Sequence, residues 1–281
     1  MKPEDLASFF PHACPYPSCR SHQRDSPAVS FTRHGSYLVK HRDGSPRGRV
    51  PRFRCSICRR SFSARRFAVE FRFRHPEFTG WAILELVSGV SIRQAGHKGV
   101  LSRGSVTRRF WRFGRHLHRL LRFLRREQLY GGRLAGCFLM DEGESFEWSR
   151  LFRPLTFPVV IEKVTRYTVS FDVGTLAPRL KRGDPRRVER EEKEGVRPNR
   201  SRRVVSRCID ALLKVATGGS EFRTDEKPSY RSILARHPEG SKLVHTTISS
   251  RDPRGPKNPL FAINHTLAMS REGLARLRRR T

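Results

Sequence analysis

Two aspartates carry the chemistry this sequence most directly suggests. Met140-Asp141-Glu142 ends the apolar run Cys137-Phe-Leu-Met, and Phe222-Arg-Thr-Asp225 repeats the arrangement after a second short strand-like run. A carboxylate that must work in a fixed geometry is best projected from a rigid sheet. Two aspartates at the ends of neighbouring strands can share divalent cations, and hard Mg2+ or Mn2+ on carboxylate oxygens suits phosphodiester cleavage and transfer. Taken singly, each is an ordinary strand-end residue. Glu142 and Glu144 are near enough in the chain to supplement Asp141, although solvated loop acids are the simpler reading.

A second constellation is made of thiols. Cys14-Pro-Tyr-Pro-Ser-Cys19 is a C-x4-C pair and Cys55-Ser-Ile-Cys58 a C-x2-C pair. Thiolates spaced this closely can turn toward one tetrahedral Zn2+, and two such knuckles complete its coordination shell. The alternative is four reduced thiols without a metal. A segment this small has little apolar surface to bury, so Zn2+ binding and folding should be one event. His12 and His22 flank the first pair and could replace a cysteine in another register, but they read more simply as surface residues. Cys137 and Cys208 stand alone and read as core residues. Around the second knuckle, Arg52, Arg54, Arg59, Arg60, Arg65 and Arg66 alternate with Phe53, Phe62 and Phe67. That mixture suits nucleic-acid contact unless the rings pack beneath the metal loop.

The elements that must position these groups follow from the pattern of apolar residues. Pro76–Ser88 reads as a support helix, and Ser91-Ile-Arg-Gln94 is a capping box that starts a second helix ending near Gly99. Leu101-Ser-Arg-Gly-Ser105 supplies a turn and a cap for a long third helix. That helix puts Val106, Phe110, Phe113, Leu117, Leu120, Leu121 and Leu124 on one apolar face. A short helix, a tight turn and an arginine-studded helix match helix-turn-helix organisation, with Arg103, Arg108, Arg109 and Arg112 placed to meet DNA. An amphipathic helix pair with a solvated basic face is the plainer alternative. Strand-like runs follow at Leu134–Met140, Phe157–Ile161 and Tyr167–Val173. A helix is expected over Arg200–Thr217, and another from Pro259 to Arg280 with arginine-rich last turns. Residues 176–199 are so charged that a flexible insertion or a solvated helix is expected. These changes in pattern place boundaries near 1–66, 67–130 and 131–281.

The 281 residues include 58 Lys plus Arg against 26 Asp plus Glu, a formal charge of +32. Such an excess repels itself unless a polyanion neutralises it, so nucleic acid is the first partner to consider. The longest apolar stretches are far too short to span a bilayer, and Met1-Lys2-Pro3-Glu4-Asp5 does not open a signal peptide, so a cytoplasmic protein without a membrane role is expected.

The order of zinc ribbon, helix-turn-helix, Asp141, Asp225 within Arg223-Thr-Asp-Glu-Lys-Pro-Ser-Tyr230, and a closing arginine-rich helix resembles bacterial insertion-element transposases of the DDE type. The resemblance extends over nearly the whole chain. It implies a multi-domain α/β protein with a ribonuclease-H-like catalytic domain, a mixed sheet and flanking helices. It also implies two catalytic Mg2+ or Mn2+ ions and binding of double-stranded DNA, both transposon inverted-repeat ends and target. Cleavage and strand transfer would proceed without a covalent protein intermediate, by a homodimer or higher oligomer associated with the bacterial nucleoid.

By the same resemblance Asp141 corresponds to the first catalytic aspartate and Asp225 to the second. Asn258-Pro-Leu-Phe-Ala-Ile-Asn264-His265, followed by Arg271-Glu-Gly-Leu-Ala-Arg276, resembles the family's last helix, in which a glutamate is expected where Asn264 stands. An asparagine oxygen can coordinate Mg2+ but adds no charge and cannot act as a base. Either Asn264 is a neutral ligand beside two aspartates, or the chain is a DNA-binding protein or regulator that has lost catalysis. Glu272 lies about 12 Å further along a helix, too far to replace Asn264 at the same ion. His265 could orient a phosphate or a water, with a structural histidine as the default. An RNA-binding zinc-ribbon protein is a third possibility that the paired aspartates do not favour.

Overall fold

The computed structural model describes residues 8–23, 27–40, 44–98, 101–253, 255–274 and 277. Two compact units are present: Met1–Trp81 with Arg108–His116, and Ala82–Thr107 with Leu117–Thr281.

In the first unit β1 (Phe31–Lys40), β2 (Pro46–Cys55) and β3 (Ser61–Ser63) form an antiparallel sheet in the order β1-β2-β3. Phe53 of β2 faces Phe62 of β3 across the ladder, and both are buried with Phe31, Val50, Ala64 and the cysteines in one small core. Phe67 packs on its edge. The aromatics that alternate with arginine near the second knuckle therefore form the floor of the cysteine loops. They do not stand out as stacking platforms, because a module this small has few other apolar groups to bury.

Three helices follow in the chain: α1 (Phe78–Val87), α2 (Ile92–Lys98) and α3 (Arg103–Leu124). The capping box is formed as expected, with the Gln94 N–H donating to Ser91 Oγ at 3.2 Å and the Ser91 N–H to Gln94 Oε1 at 3.1 Å. Ser102 caps α3 by accepting from the Ser105 N–H at 3.3 Å. Gly96 lies where α2 closely approaches the start of α3: a Cβ there would sit a tight 3.1 Å from the Arg103 Cα. The apolar spacing of α3 is real, but its burial is partial. Val106 is fully buried, whereas Phe110, Leu117 and Leu120 are exposed.

The second unit is built on a mixed sheet. Its strands are β4 (Cys137–Phe146), β5 (Pro154–Glu162), β6 (Thr168–Phe171), β7 (Gly174–Thr175), β8 (Ser220–Asp225) and β9 (Leu243–Ile248), ordered β6-β5-β4-β8-β9 with β7 on β5. The first of these pairings, β4-β5 and β5-β6, are antiparallel, while β4-β8 and β8-β9 are parallel. Helices α4 (Pro185–Glu194), α5 (Ser201–Leu213), α6 (Pro228–Arg236) and α7 (Phe261–Gly273) complete a mixed α/β architecture with seven α-helices among the described residues.

Each face of this sheet carries its own core. Phe138, Met140 and Phe222 point to one side and pack with Val205, Ile209 and Leu212 of α5 and Tyr230 of α6. Leu139, Phe157 and Ile161 point to the other, against Ile263 and Leu267 of α7. The strand alternation thus assigns α5 and α6 to one face and α7 to the opposite one.

Two sequence expectations change, and over residues 176–199 the solvated helix is the alternative found. β4 does not stop at Met140 but continues to Phe146, because β5 pairs with it along its whole length. Residues 176–199 contain α4, a solvated helix with no buried residue, capped by Asp184. It is laced by Arg187–Glu191 and Arg190–Glu194 pairs, both at 2.7 Å. Helix α7 ends at Gly273, and Arg276 and Arg278–Arg280 lie outside the described residues. Among the described residues no helix is long and apolar enough to cross a membrane.

Gly143 on β4 faces Phe157 on β5, and a Cβ there would come within 2.1 Å of the Phe157 ring. Gly143→Ala is expected to destabilise the second unit by roughly 1–3 kcal/mol through overpacking, measured as a lowered urea midpoint.

Candidate active site

The β4–β8 pair is the point at which the chain leaves the sheet in opposite directions. β4 leads to its antiparallel neighbour on one side, and β8 lies on the other. In open α/β sheets, the crevice beyond the carboxyl ends of parallel strands at such a point is the usual ligand site. The ladder joins Phe138 to Phe222 and Leu139 to Arg223 and then stops. Asp141 and Asp225 each lie two residues beyond the Leu139–Arg223 pair, so they occupy equivalent positions on adjacent strands spaced about 4.8 Å apart. Period-two alternation puts both on the Leu139 face, the side that carries α7. Asp141 is therefore mid-strand toward β5 but beyond the ladder toward β8, which opens it to a cleft.

That cleft, about 520 Å3, is lined by Asp141, Asp225 and Asn264 together with Glu142, Lys227, Tyr230 and Arg271. Asn264, Leu267, Ala268 and Arg271 recur at three- and four-residue steps, so one face of α7 forms its wall. A smaller recess of about 40 Å3 is lined by the same three residues with Ser249, Ser250, Asp252 and Asn258. The structure thus brings together all three residues singled out for catalysis. It leaves two others outside: Glu272 is exposed on α7, and His265 lies beside Arg166 Nη1, 3.3 Å from its Nδ1, lining neither recess.

The Asp225 carboxylate accepts from the Lys227 N–H at 3.1 Å, an Asx turn that fixes the corner between β8 and α6. Pro228 then opens α6 at its first turn. Glu142 is not the solvated loop acid that the sequence suggested. It lies within β4 with a side chain 9% exposed, its Oε1 bonded to Lys227 Nζ and to the Tyr230 hydroxyl at 3.1 Å. Its Oε2 accepts from Thr156 Oγ1 at 2.8 Å and Ser201 Oγ at 3.2 Å. Burial first, and then the negative charges of Glu142, Asp225 and Asp141, raise the Tyr230 pKa far above the usual phenol range. Glu144 is half-exposed and paired with Arg179.

Sequence reasoning missed Lys227, Tyr230, Arg271 and Asp252. The first two stand in the same short segment as Asp225, and Arg271 sits seven residues after Asn264, which is two helical turns and hence the same face. Asp252 comes from an irregular loop with no periodicity to place it.

In the first unit the sulfur atoms of Cys14, Cys19, Cys55 and Cys58 all lie within 4.8 Å of one another, a set that could hold a metal such as zinc. The C-x2-C turn is closed by the Arg59 N–H donating to the Cys55 carbonyl at 3.0 Å, with Arg59 at φ 57°. Burial pushes the Cys14 thiol up to about 12, while a hydrogen bond to Ser21 brings Cys19 down to about 6. Four thiolates at this spacing repel one another without a cation, so the donor set fits a soft divalent ion. Both His12 and His22 are exposed and outside the cluster, and His22 Nε2 lies 3.1 Å from the Tyr16 carbonyl. Cys208 is buried in the sheet core, its thiol likewise pushed up to about 12 by burial.

The arginines of α3 divide into two kinds. Arg103 and Arg108 are exposed. Arg109 is 4% exposed, donating from Nη2 to the His75 carbonyl at 2.6 Å and from Nε to Thr79 Oγ1 at 3.3 Å, with its guanidinium 4.6 Å from the Phe73 ring centroid. Arg112 reaches the Val69 and Phe71 carbonyls and stacks on the same ring. The expectation that Arg109 and Arg112 meet DNA is corrected accordingly. Their planar donors are committed to carbonyls and an aromatic face within the first unit.

Comparison with protein-family models and with curated proteins finds no match for this chain.

Proposed function

We propose that the protein is a DNA transposase of the DDE type, in which Asp141 and Asp225 bind Mg2+ or Mn2+ for cleavage and strand transfer at the ends of a mobile element. One observation carries the reading: the two aspartates occupy equivalent positions past the end of the β4–β8 ladder and face Asn264 across one cleft. The mixed sheet, with three antiparallel strands running into two parallel ones and helices on both faces, supports a ribonuclease-H-like domain. The capped pair α2–α3 and the close approach at Gly96 support a helix-turn-helix.

The donor set of two carboxylates and an amide oxygen suits a hard cation. Bound there, such a cation would polarise a phosphoryl oxygen and lower the pKa of a coordinated water. The chain's own residues do the rest. Lys227 and Arg271 line the cleft and offset the repulsion between its acids and a phosphate backbone. Buried Tyr230 stays protonated and remains a donor. The cysteine module and α3 hold duplex DNA outside the cleft, and synapsis of two ends calls for a homodimer or larger assembly in the bacterial nucleoid.

DNA contact from α3 then falls to the exposed Arg103 and Arg108. Replacing either by alanine should leave stability within about 0.5 kcal/mol. If the side chain meets a phosphate, the salt slope of DNA binding should fall by about 1. Arg109→Ala should do the reverse, losing about 2–3 kcal/mol of stability through orphaned buried partners. Thermal melts and salt titrations of the three variants separate these outcomes.

Asn264 favours a second reading, a transposase-derived DNA-binding regulator without catalysis. Divalent-metal-dependent nicking of duplex carrying the DNA that flanks the protein's own coding region, compared between wild type and Asp225→Asn, tests the first reading against the second.

A further inference from the structure

We propose that the tip of the β4–β5 hairpin is a stacking platform for an unpaired base of the DNA strand that leaves the cleft, with Trp148 as the ring that takes the base. The proposal rests on the reading of the protein as one that handles DNA, and not on the metal chemistry of its aspartates. Trp148 is 53% exposed, although the segment that carries it is well tied down. Residues 147–153 close the hairpin: the Glu147 N–H donates to the Arg153 carbonyl and the Arg153 N–H to the Ser149 carbonyl, both at 2.9 Å. The Phe152 ring stacks with the indole at an interplanar angle of 26°, with centroids 6.2 Å apart, and the Arg190 guanidinium of α4 lies 4.5 Å from the indole centroid. Glu194 in turn pairs with Arg190 at 2.7 Å and also with Arg153. The indole is therefore held in one orientation while more than half of it stays open, as a preorganised stacking site requires.

The charge around the ring matches a nucleic-acid strand. Residues 147–153 and 179–194 carry nine Lys and Arg against six Asp and Glu. Most of these pair with one another, but Arg150, Lys181 and Arg182 are exposed and have no ion pair among the described residues. Their position is continuous with the cleft. Glu144 and Leu176 line it, and Arg179, which pairs with Glu144, donates its N–H to the Leu151 carbonyl at 2.8 Å in the hairpin tip. The segment that walls the cleft thus leads directly to the platform. From Asp141 to the end of β4 at Phe146 is about 17 Å of strand, and a stacked nucleic-acid strand advances about 3.4 Å per nucleotide. Trp148 therefore meets a base roughly five to seven nucleotides from the phosphate at the aspartates. Base faces are covered inside a duplex, so the ring can take only a base that has left the stack, in a frayed or single-stranded segment. Arg150, Lys181 and Arg182 hold the backbone of that segment.

The test measures binding of fluorescein-labelled oligothymidylate, and of a blunt duplex of the same length, to the full-length protein without metal. Trp148→Ala should weaken oligothymidylate binding roughly 5- to 100-fold, the range of a lost base–aromatic stack, and duplex binding by less than about twofold. Trp148→Phe keeps a ring and should stay within about threefold of wild type. The salt slope should not change in Trp148→Ala, because a neutral ring releases no counterion, whereas Arg150→Ala should lower it by about 0.7 on the single strand. A merely structural role for Trp148, as the packing partner of Phe152 and Arg190, would leave both ligands unaffected or weaken both alike, and either result overturns the proposal. A second measurement decides the matter even if Trp148→Ala fails to fold. Oligothymidylate should quench the emission of the wild type, which has three Trp, and quench that of Trp148→Phe much less. Equal fractional quenching overturns the proposal, as does tighter binding of oligouridylate than of oligothymidylate. Asp225-dependent nicking without Trp148-dependent binding sinks the platform alone, and Trp148-dependent binding without nicking sinks the metal chemistry alone.

Discussion

Serine in place of Cys55 is expected to remove bound metal from the protein and with it the fold of the N-terminal sheet. The first unit has one small core, in which Phe31, Val50, Phe53, Phe62 and Ala64 pack directly against the cysteines, so the metal loops and the apolar floor form together. Zinc binding to folding-coupled cysteine sites contributes about 10–16 kcal/mol in peptide systems, more than a core of this size supplies. Protons compete with the metal for thiolates, so acidification should release it. Metal analysis should find about one zinc per chain in the wild type and none in Cys55→Ser, as expected for a closed four-thiolate site. Limited proteolysis should open the first unit while the β4–β9 sheet stays resistant. Stoichiometric zinc retained by Cys55→Ser would refute the four-cysteine site.

The second large effect concerns the aspartates and has two signs. Asp141→Asn and Asp225→Asn should each reduce metal-dependent strand cleavage on the order of 10^3-fold, since electrostatic stabilisation of several kcal/mol is lost and each 1.4 kcal/mol is tenfold. The same substitutions should tighten DNA binding in the absence of metal, because each removes a negative charge from a cleft that must receive phosphates. A general loss of folding would weaken both, so the opposite signs separate chemistry from stability. Asn264→Glu adds a further negative charge to the same cleft, beside Asp141 and Asp225, and should raise Mg2+ affinity while weakening metal-free DNA binding.

Much of this site could be read from the sequence because its parts have local signatures. The knuckle spacing of Cys14, Cys19, Cys55 and Cys58, the capping residues Ser91 and Ser102, and the apolar runs before Asp141 and Asp225 are all set by neighbours in the chain. What was misread depends on partners far away. β4 continues past Asp141 because β5 pairs with it to Phe146, a register that no local pattern encodes. Glu142 resembles a surface acid until Thr156, Ser201, Lys227 and Tyr230 converge on it from three other elements and a turn. Arg109 and Arg112 share the helical spacing of a basic surface, yet the carbonyls of residues 69–75 draw them inward. Charge alone does not distinguish an arginine that meets DNA from one that holds its own chain together.

The most direct test is cleavage of an end-labelled duplex carrying the sequence that flanks the coding region, incubated with wild-type protein and Mg2+ or Mn2+ at low salt. A nick that leaves a 3′-hydroxyl, requires the divalent ion and disappears in Asp225→Asn is the expected result. Tight binding of that duplex by wild-type protein with no cleavage in either metal, or cleavage that survives Asp225→Asn unchanged, would contradict it.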